Sequence, residues 1–360
     1  MLDDALHKIR RATDADNALL VDLMAHVPME GSLALSTQRG PDFFALYRMQ
    51  RGSADVFVCQ DESFRGMGAV LVRDGFLDGR STPVGYLGDL RLEGRGRMRR
   101  TFPAAYGHFF ADVCARTGCE HFVTGVMSSN AMAIASLAHA KRASKKRRAP
   151  QPHYELVCTY DMASLQCVLP PRRADRSVTI ARHGDFDEIV AFLARDHATR
   201  SFGYRFDDGE LEHRLRAWPG YSLDDTLLAR GDNGNGKIVG VCTAWDASPV
   251  KRYRVERYAG SMNVVRAGVK AASWLTGCAP LPQVGTEFRS LYLVNLSVLD
   301  DDPRVLHAML RAAYAHAWTK RVHFVALPMF AMGGRPDPLE PALRGFFVQR
   351  LGFHLYGVTS

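Results

Sequence analysis

The chain opens in the same way twice. Ile9-Arg10-Arg11-Ala12-Thr13-Asp14-Ala15-Asp16 resembles Ile180-Ala181-Arg182-His183-Gly184-Asp185-Phe186-Asp187. In one ungapped register Ile9 meets Ile180, Arg11 meets Arg182, Asp14 meets Asp185, Asp16 meets Asp187 and His26 meets His197, each pair 171 residues apart (11 and 182, 26 and 197). An internal repeat constrains a fold more than any single motif does, because each copy has to be one structural unit. Each stretch reads as a short strand ending at Arg11 or Arg182, an Asp placed to cap a helix, and a second acid in the positive first turn. Apolar residues at helical spacing follow: Leu19, Leu20, Leu23 and Val27 in one copy, Ile189, Val190 and Leu193 in the other. Between the copies lies Leu165–Arg176, whose Pro170-Pro171 pair and charges mark an exposed linker. The predicted organisation is a first domain over 1–164, a linker over 165–176 and a second domain over 177–360.

In the first copy, Asp55–Gln60, Gly66–Arg73 and Tyr86–Leu92 read as successive strands. A helix is predicted from Thr101 to Arg116, with Pro103 in its first turn and Gly118 past its end. Phe122–Met127 is the next strand, Asn130–His139 a helix and Tyr154–Tyr160 a strand. The second copy repeats this order with strands at Thr226–Arg230, Ile238–Trp245 and Leu291–Val298, a helix at Arg304–Thr319 and a strand at His323–Leu327. An insertion before Leu291 holds an amphipathic helix at Val264–Leu275. Strands followed by a strand–helix–strand unit give an α/β (α+β) sheet protein.

The net charge of +8 suits a protein that handles polyanions, phosphorylated coenzymes and nucleic acids alike. Seven cysteines scattered without C-x-x-C spacing argue against a zinc site or a disulfide framework, and no metal site is expected. No apolar run reaches the length of a membrane span and Met1–Arg11 lacks a signal-peptide core, so the reading is a cytoplasmic protein without a membrane partner.

Phosphate chemistry belongs at the strand–turn–helix around residues 86–116. A helix start offers unpaired N–H groups and partial positive charge, and Arg95, Arg97, Arg99 and Arg100 add guanidinium groups that grip phosphate oxygens. This order of elements, with Gly85-Tyr86-Leu87-Gly88-Asp89-Leu90-Arg91-Leu92, the Arg-rich turn and Ser129-Asn130-Ala131-Met132-Ala133-Ile134, resembles the GCN5-related N-acetyltransferase (GNAT) family. In the second half Leu343–Phe353 resembles the family's closing helix and terminal Leu-Gly-Phe.

The resemblance implies two tandem acyl-CoA N-acyltransferase folds, each a mixed, mostly antiparallel sheet flanked by helices. It implies acetyl-CoA or another acyl-CoA as cosubstrate, and a small-molecule or peptide amine as acceptor. Asp89-Leu90-Arg91-Leu92 would pair with the pantetheine arm, the Leu90 N–H lying near the thioester carbonyl. The family's Arg/Gln-x-x-Gly-x-Gly/Ala loop would start at Arg97, with its glycine positions at Arg100 and Phe102, or at Arg95, with them at Met98 and Arg100. Neither register carries the glycines. The implied coenzyme contacts are therefore Leu90, Arg91, Leu92, Arg95, Arg97, Met98, Arg99, Arg100, Thr101, Phe102 and Asn130. In the second copy Asp300-Asp301-Asp302-Pro303 stands where phosphates would go, and carboxylates repel them, so this copy reads as non-catalytic.

Acyl transfer needs an acceptor for the amine's proton and a donor for the thiolate. Asp89 is the first choice as base, against a structural role beside Arg91 or Arg11, and Glu93 the second. Tyr154, with Tyr86 and Tyr106 behind it, is the acid candidate. Gly231–Lys237 matches a P-loop pattern, but Ile238 replaces the Ser or Thr and a strand follows, so it reads as a hairpin turn. The basic run at 141–148 lacks interleaved aromatics and reads as a surface loop rather than a nucleic-acid site. The alternative to an enzyme is a degenerate pair serving as a coenzyme- or partner-binding regulatory module, and a homodimer is compatible with either.

Overall fold

The computed structural model describes residues 9–26, 29, 31–94, 97–136, 151–172, 177–231, 234, 236–330 and 339–360. The first half runs β1 (Ile9–Arg11), α1 (Asn17–His26), β2 (Leu33–Gln38), α2 (Ala45–Arg48), β3 (Ser53–Gln60), β4 (Phe64–Leu77), β5 (Arg80–Gly94), α3 (Arg97–Thr117), β6 (His121–Met127) and β7 (His153–Gln166). The second runs β8 (Val178–Ile180), α4 (Phe186–Ala198), α5 (Glu210–Ala217), β9 (Thr226–Arg230), β10 (Ile238–Trp245) and β11 (Arg252–Tyr258). It continues through α6 (Ser261–Thr276), β12 (Glu287–Phe288), β13 (Ser290–Val298), α7 (Pro303–Thr319), β14 (Phe324–Phe330), α8 (Leu339–Ala342) and β15 (Val348–Thr359).

One 12-stranded sheet takes the order β1-β3-β4-β5-β6-β15-β7-β14-β13-β10-β9-β8, and β12-β11-β2 form a smaller one. The fold class is as expected: α/β, with a large, mostly antiparallel sheet flanked by helices. Among the described residues only β5–β6 and β13–β14 pair in parallel. The halves exchange strands, since β15 fills the slot between β6 and β7 while β7 also pairs with β14. In the smaller sheet β11 pairs with β2 of the first half, Tyr253 lying opposite Thr37.

Alternation dictates which residues face the helices. Val70, Val72, Leu87 and Phe122 join Phe110 and Val113 of α3 in a buried cluster. Phe57, Phe64 and Phe102 form another. In the second half Leu291, Leu293, Val325 and Leu327 pack on Leu306, Met309, Leu310 and Ala313 of α7. Gly85 illustrates how closely the layers meet: a Cβ there would lie 2.0 Å from the Phe122 ring.

Three sequence expectations are corrected. The strand–turn–helix openings superimpose in element order at 169 residues, not 171: β1 and β8 start at 9 and 178, the following 3-10 turns at 14 and 183, α1 and α4 at 17 and 186. Asp16, not Asp14, is thus the partner of Asp185. Each carboxylate accepts the backbone N–H three residues earlier, from Thr13 at 2.8 Å and from Arg182 at 2.7 Å. This capping contact is set by backbone geometry and tolerates the sequence drift that misled the alignment. Next, α3 begins at Arg97 rather than Thr101, which puts Pro103 in its second turn. Finally, Leu351-Gly352-Phe353 continues β15 instead of ending a helix, because both strand edges find partners, Leu351 opposite Met162 and Phe353 opposite Met127 and Tyr160. Gly231–Lys237 joins β9 to β10 as a turn, Gly231 N–H donating to the Lys237 carbonyl at 3.0 Å. Among the described residues no helix is long and apolar enough to cross a membrane.

Candidate active site

Two strands pair and then part, opening a gap in the sheet. β5 and β6 are in register at Val84–His121, Gly85–Phe122 and Tyr86–Val123. One step further the Thr124 hydroxyl donates to the Leu87 carbonyl at 2.9 Å. Beyond it, among the described residues, Gly88–Glu93 pairs with β4 and with no strand on its other side, while β6 leans on β15, so one backbone edge of β5 borders a gap. Opposite Gly68, the residues Asp89 and Leu90 form a bulge, and Asp89 adopts φ 52. Asp tolerates that left-handed conformation better than most residues, and a bulge re-aims the side chains around it. Leu90 is half exposed at the gap. The Tyr86 ring covers Gly88, where a Cβ would come within 2.7 Å of it, and across the gap a Cβ on Gly125 would lie 2.7 Å from the Tyr160 hydroxyl.

The bulge is pinned by a polar cradle that sequence reasoning missed. Arg39, 1% exposed, donates through Nη1 to Asp89 at 2.8 Å and through Nη2 to the Phe43 carbonyl at 2.9 Å. Its guanidinium also sits 4.8 Å and 5.0 Å from the Phe43 and Tyr47 ring centres. The Tyr47 hydroxyl donates to the same Asp89 oxygen. Burial alone would raise the Asp89 carboxyl. Arg39, the Tyr47 hydroxyl, Lys251 and Arg91 outweigh it and hold the group below the ordinary carboxylate range. Burial, with Asp89 beside it, pushes the Tyr47 phenol well up, so it remains a donor.

The second half supplies the facing groups. Tyr253 lies on β11, Lys251 immediately precedes that strand, and Tyr292 lies on β13. Thr37 and Arg39 share a face of β2 and its continuation, and Tyr253 is the cross-strand neighbour of Thr37. Tyr253 therefore stands beside the Arg39–Asp89 pair. The Lys251 ammonium is 5.3 Å from the Tyr253 ring centre. Burial acts to raise the Tyr253 phenol, but the charge of Lys251, with Tyr292 beside it, prevails and carries it below its ordinary value. The Tyr253 oxygen in turn holds Lys251 above its own, against burial. Burial and Tyr253 push Tyr292 well up, which keeps it protonated and donating.

The predicted residues divide. Asp89, Leu90, Arg91 and Leu92 border the gap on β5, with Leu92 packed on the aromatic cluster and Arg91 donating to the Leu90 carbonyl at 3.0 Å. Glu93 is engaged away from the gap by Arg65, whose Nε donates at 3.0 Å and which also reaches Asp22 at 2.9 Å. Tyr154 hydrogen bonds to Tyr106 beneath α3 and is pushed up to about 12 by burial, so it does not join the Asp89 cluster. Phe102 stacks on Tyr106 with ring centres 5.8 Å apart and belongs to the core. Because α3 starts at Arg97, the free N–H groups of its first turn belong to residues 97–100; Thr101 and Phe102 lie deeper in the helix. Arg95 and the side chains of Arg97, Met98, Arg99, Arg100 and Thr101 lie outside the described residues, as does the 141–148 run. Asn130 caps the helical residues 131–136, its Oδ1 accepting from Ala133 N–H at 3.1 Å.

The second half repeats the opening with different chemistry. β13 and β14 pair only at Ser290–Phe324, Leu291–Val325 and Tyr292–Ala326. Three residues past Tyr292, Asn295 has φ 55 at a bulge against β10, as Asp89 does three past Tyr86. Arg214, also 1% exposed, donates to Asn295 Oδ1 at 2.6 Å, and Asn295 Nδ2 donates to the Tyr221 hydroxyl at 2.8 Å. Here Glu210 balances the arginine at 2.7 Å. At the phosphate position Asp302 caps α7, accepting from Arg304 N–H at 2.8 Å. A carboxylate already occupies that helix mouth.

Among solved structures, the chain is similar to a GCN5-related N-acetyltransferase from Sphaerobacter thermophilus, with 14% identity, 97% of this chain and 94% of that chain covered, and a TM-score of 0.55. It is also similar to Saccharomyces cerevisiae N-myristoyltransferase with bound myristoyl-CoA, at 10% identity, 97% and 78% coverage and a TM-score of 0.57. The chain has the N-acyltransferase fold. No family model matches the sequence, and no curated protein matches it. In the N-acyltransferase fold seen here, the parted parallel strands and the bulged β5 are the features next to which Asp89, Arg39 and Tyr253 converge.

Proposed function

We propose that the protein is an N-acyltransferase that moves an acetyl or other acyl group from acyl-CoA to a primary amine by direct attack. The observation that carries this reading is the gap between β5 and β6. Among the described residues its β5 edge at Gly88–Glu93 pairs with no strand, and it leads to the start of α3 at Arg97. An extended pantetheine arm can pair with such an edge, and helix-start amides suit a diphosphate. The solved structures of similar fold are an N-acetyltransferase and an N-myristoyltransferase, the latter holding myristoyl-CoA.

Asp89 is spoken for by Arg39 and Tyr47, and its depressed pKa makes it a weak base. We assign it to positioning, and assign proton transfer to Tyr253. The protonated amine gives one proton to the ionised Tyr253 oxygen, and the neutral amine so formed attacks the thioester carbon. The tetrahedral centre collapses with cleavage of the C–S bond, the thiolate takes a proton from the Tyr253 hydroxyl, and the amide nitrogen's remaining excess proton leaves to solvent. The Lys251 ammonium favours the ionised form of this phenol.

The tandem organisation is part of the proposal, with the linker starting after Gln166, because Leu165 and Gln166 belong to β7 and Leu165 is buried in the core. It is supported by the repeated opening, the repeated bulge and the repeated arginine cradle. The carboxylate cap on α7 favours coenzyme binding in the first half alone.

Calorimetry with acetyl-CoA, followed by free-thiol release across a panel of amines, tests the reading. Micromolar binding with amine-dependent thiol release is expected. Absence of binding refutes it, and binding without release for any amine makes the protein a coenzyme-responsive module instead.

A further inference from the structure

Helix α6 wears its apolar side outward. At 100° per residue, Val264, Gly268, Ala271 and Leu275 fall on one line, with Ala267 and Trp274 beside it. Val264 is 74% exposed, Trp274 90% and Leu275 91%, and no residue of this 16-residue helix is buried. The opposite side holds it to the body. Met262 packs on Val255, Tyr258 and Phe288, and the Arg266 guanidinium lies 5.2 Å from the Tyr258 ring centre. A surface helix normally turns its apolar stripe inward; an uninterrupted one turned outward is an interaction surface.

Charge and area identify the occupant. From Arg257 to Thr286 the sequence has no Asp or Glu, and the charged residues of α6 are Arg266 and Lys270. Lys270, exposed, flanks the stripe. A stripe on a helix of this length measures roughly 24 Å by 10 Å, about 240 Å². That is a fraction of the roughly 800 Å² per partner of a stable protein interface, so a second copy seated on it gains too little. A lipid surface needs only the stripe: tryptophan and leucine enter the headgroup–acyl boundary while cations meet anionic headgroups. We propose that α6 rests in the interface of a membrane bearing anionic lipids. The sequence reading expected no membrane partner because nothing spans one, and lying on a surface requires no span.

Co-sedimentation of the full chain with phosphatidylcholine vesicles, with and without phosphatidylserine, tests this. Binding to the phosphatidylserine vesicles is expected, weakening as salt rises. W274S/L275S should lower the partition coefficient by more than about tenfold, and K270E by roughly fivefold. Each variant should keep the parent melting temperature, since the altered side chains are exposed. Equal binding by the double variant, no preference for the anionic vesicles, or a self-association that W274S/L275S abolishes would each overturn the proposal.

Discussion

Exchanging the charge states of the two cradles tests how each bulge is held. In the first half the buried Arg39 faces Asp89 at 2.8 Å, and among the described residues Asp89 is its one ion-pair partner. In the second, Arg214 is balanced by Glu210, which frees the strand position to be the neutral Asn295. Asp89→Asn is nearly isosteric and can copy the Asn295 hydrogen bonds, but it strands a guanidinium without a counter-charge. Opposite charges about 4 Å apart are worth about 4 kcal/mol at an effective dielectric near 20, and removing one member of a buried pair costs about 3–5 kcal/mol. Arg39 keeps its bond to the Phe43 carbonyl and its two ring contacts, so the expected loss is about 2–3 kcal/mol. Asn295→Asp puts a second carboxylate on an already neutralised arginine and should cost less, about 1 kcal/mol. Urea denaturation reads both as a shifted midpoint at constant slope. The pH dependence adds a sign. The Asp89 pKa is lower folded than unfolded, so its contribution is complete above the unfolded value near 3.8 and disappears as pH falls through the folded one. Asp89→Asn should lack that part of the acid limb. A loss below about 1 kcal/mol with an unaltered acid limb would refute the account of the cradle.

Further outcomes follow from the same geometry. Tyr253→Phe should lower kcat by about 10²-fold or more and flatten the rise of rate with pH, while acetyl-CoA binding by calorimetry stays within twofold. Gly85→Ala drives a methyl into the Phe122 ring and should cost about 1–3 kcal/mol in chemical denaturation. Asp16 is held at about 2 by bidentate hydrogen bonds from Arg10 and by the Thr13 N–H. Its stabilisation is complete above about pH 4 and lost towards pH 2. Because Arg10 is exposed, Asp16→Asn should cost only about 1 kcal/mol at neutral pH.

The sequence was most legible where local rules operate alone. Thr226–Arg230 and Ile238–Trp245 match β9 and β10 residue for residue, since apolar runs bracketed by a glycine-rich turn leave one hairpin. The insertion helix was also foreseen, to within three residues at its start and one at its end. The start of α3 was not, because Pro103 imitates a first-turn proline. The site was half legible. The β5 segment announced itself, but Arg39 lies 50 residues from Asp89, and Tyr253 arrives from the other half on a strand no pattern paired with β2. One signal was present: a tyrosine three residues before an Asp or Asn, at Tyr86–Asp89 and Tyr292–Asn295. Those positions are 206 residues apart, outside the register that the opening motif imposed.

The place of β15 has a consequence for biogenesis. Among the described strands, residues 348–359 leave the ribosome after all the others of this sheet, yet they sit between two strands made some two hundred residues earlier. Until they emerge, β6 and β7 each present an open edge, and the nascent first half waits with a vacancy that a strand from a neighbouring chain could fill. Crowded polysomes should thus favour domain-swapped products, and slowing translation over codons 348–359 should increase them.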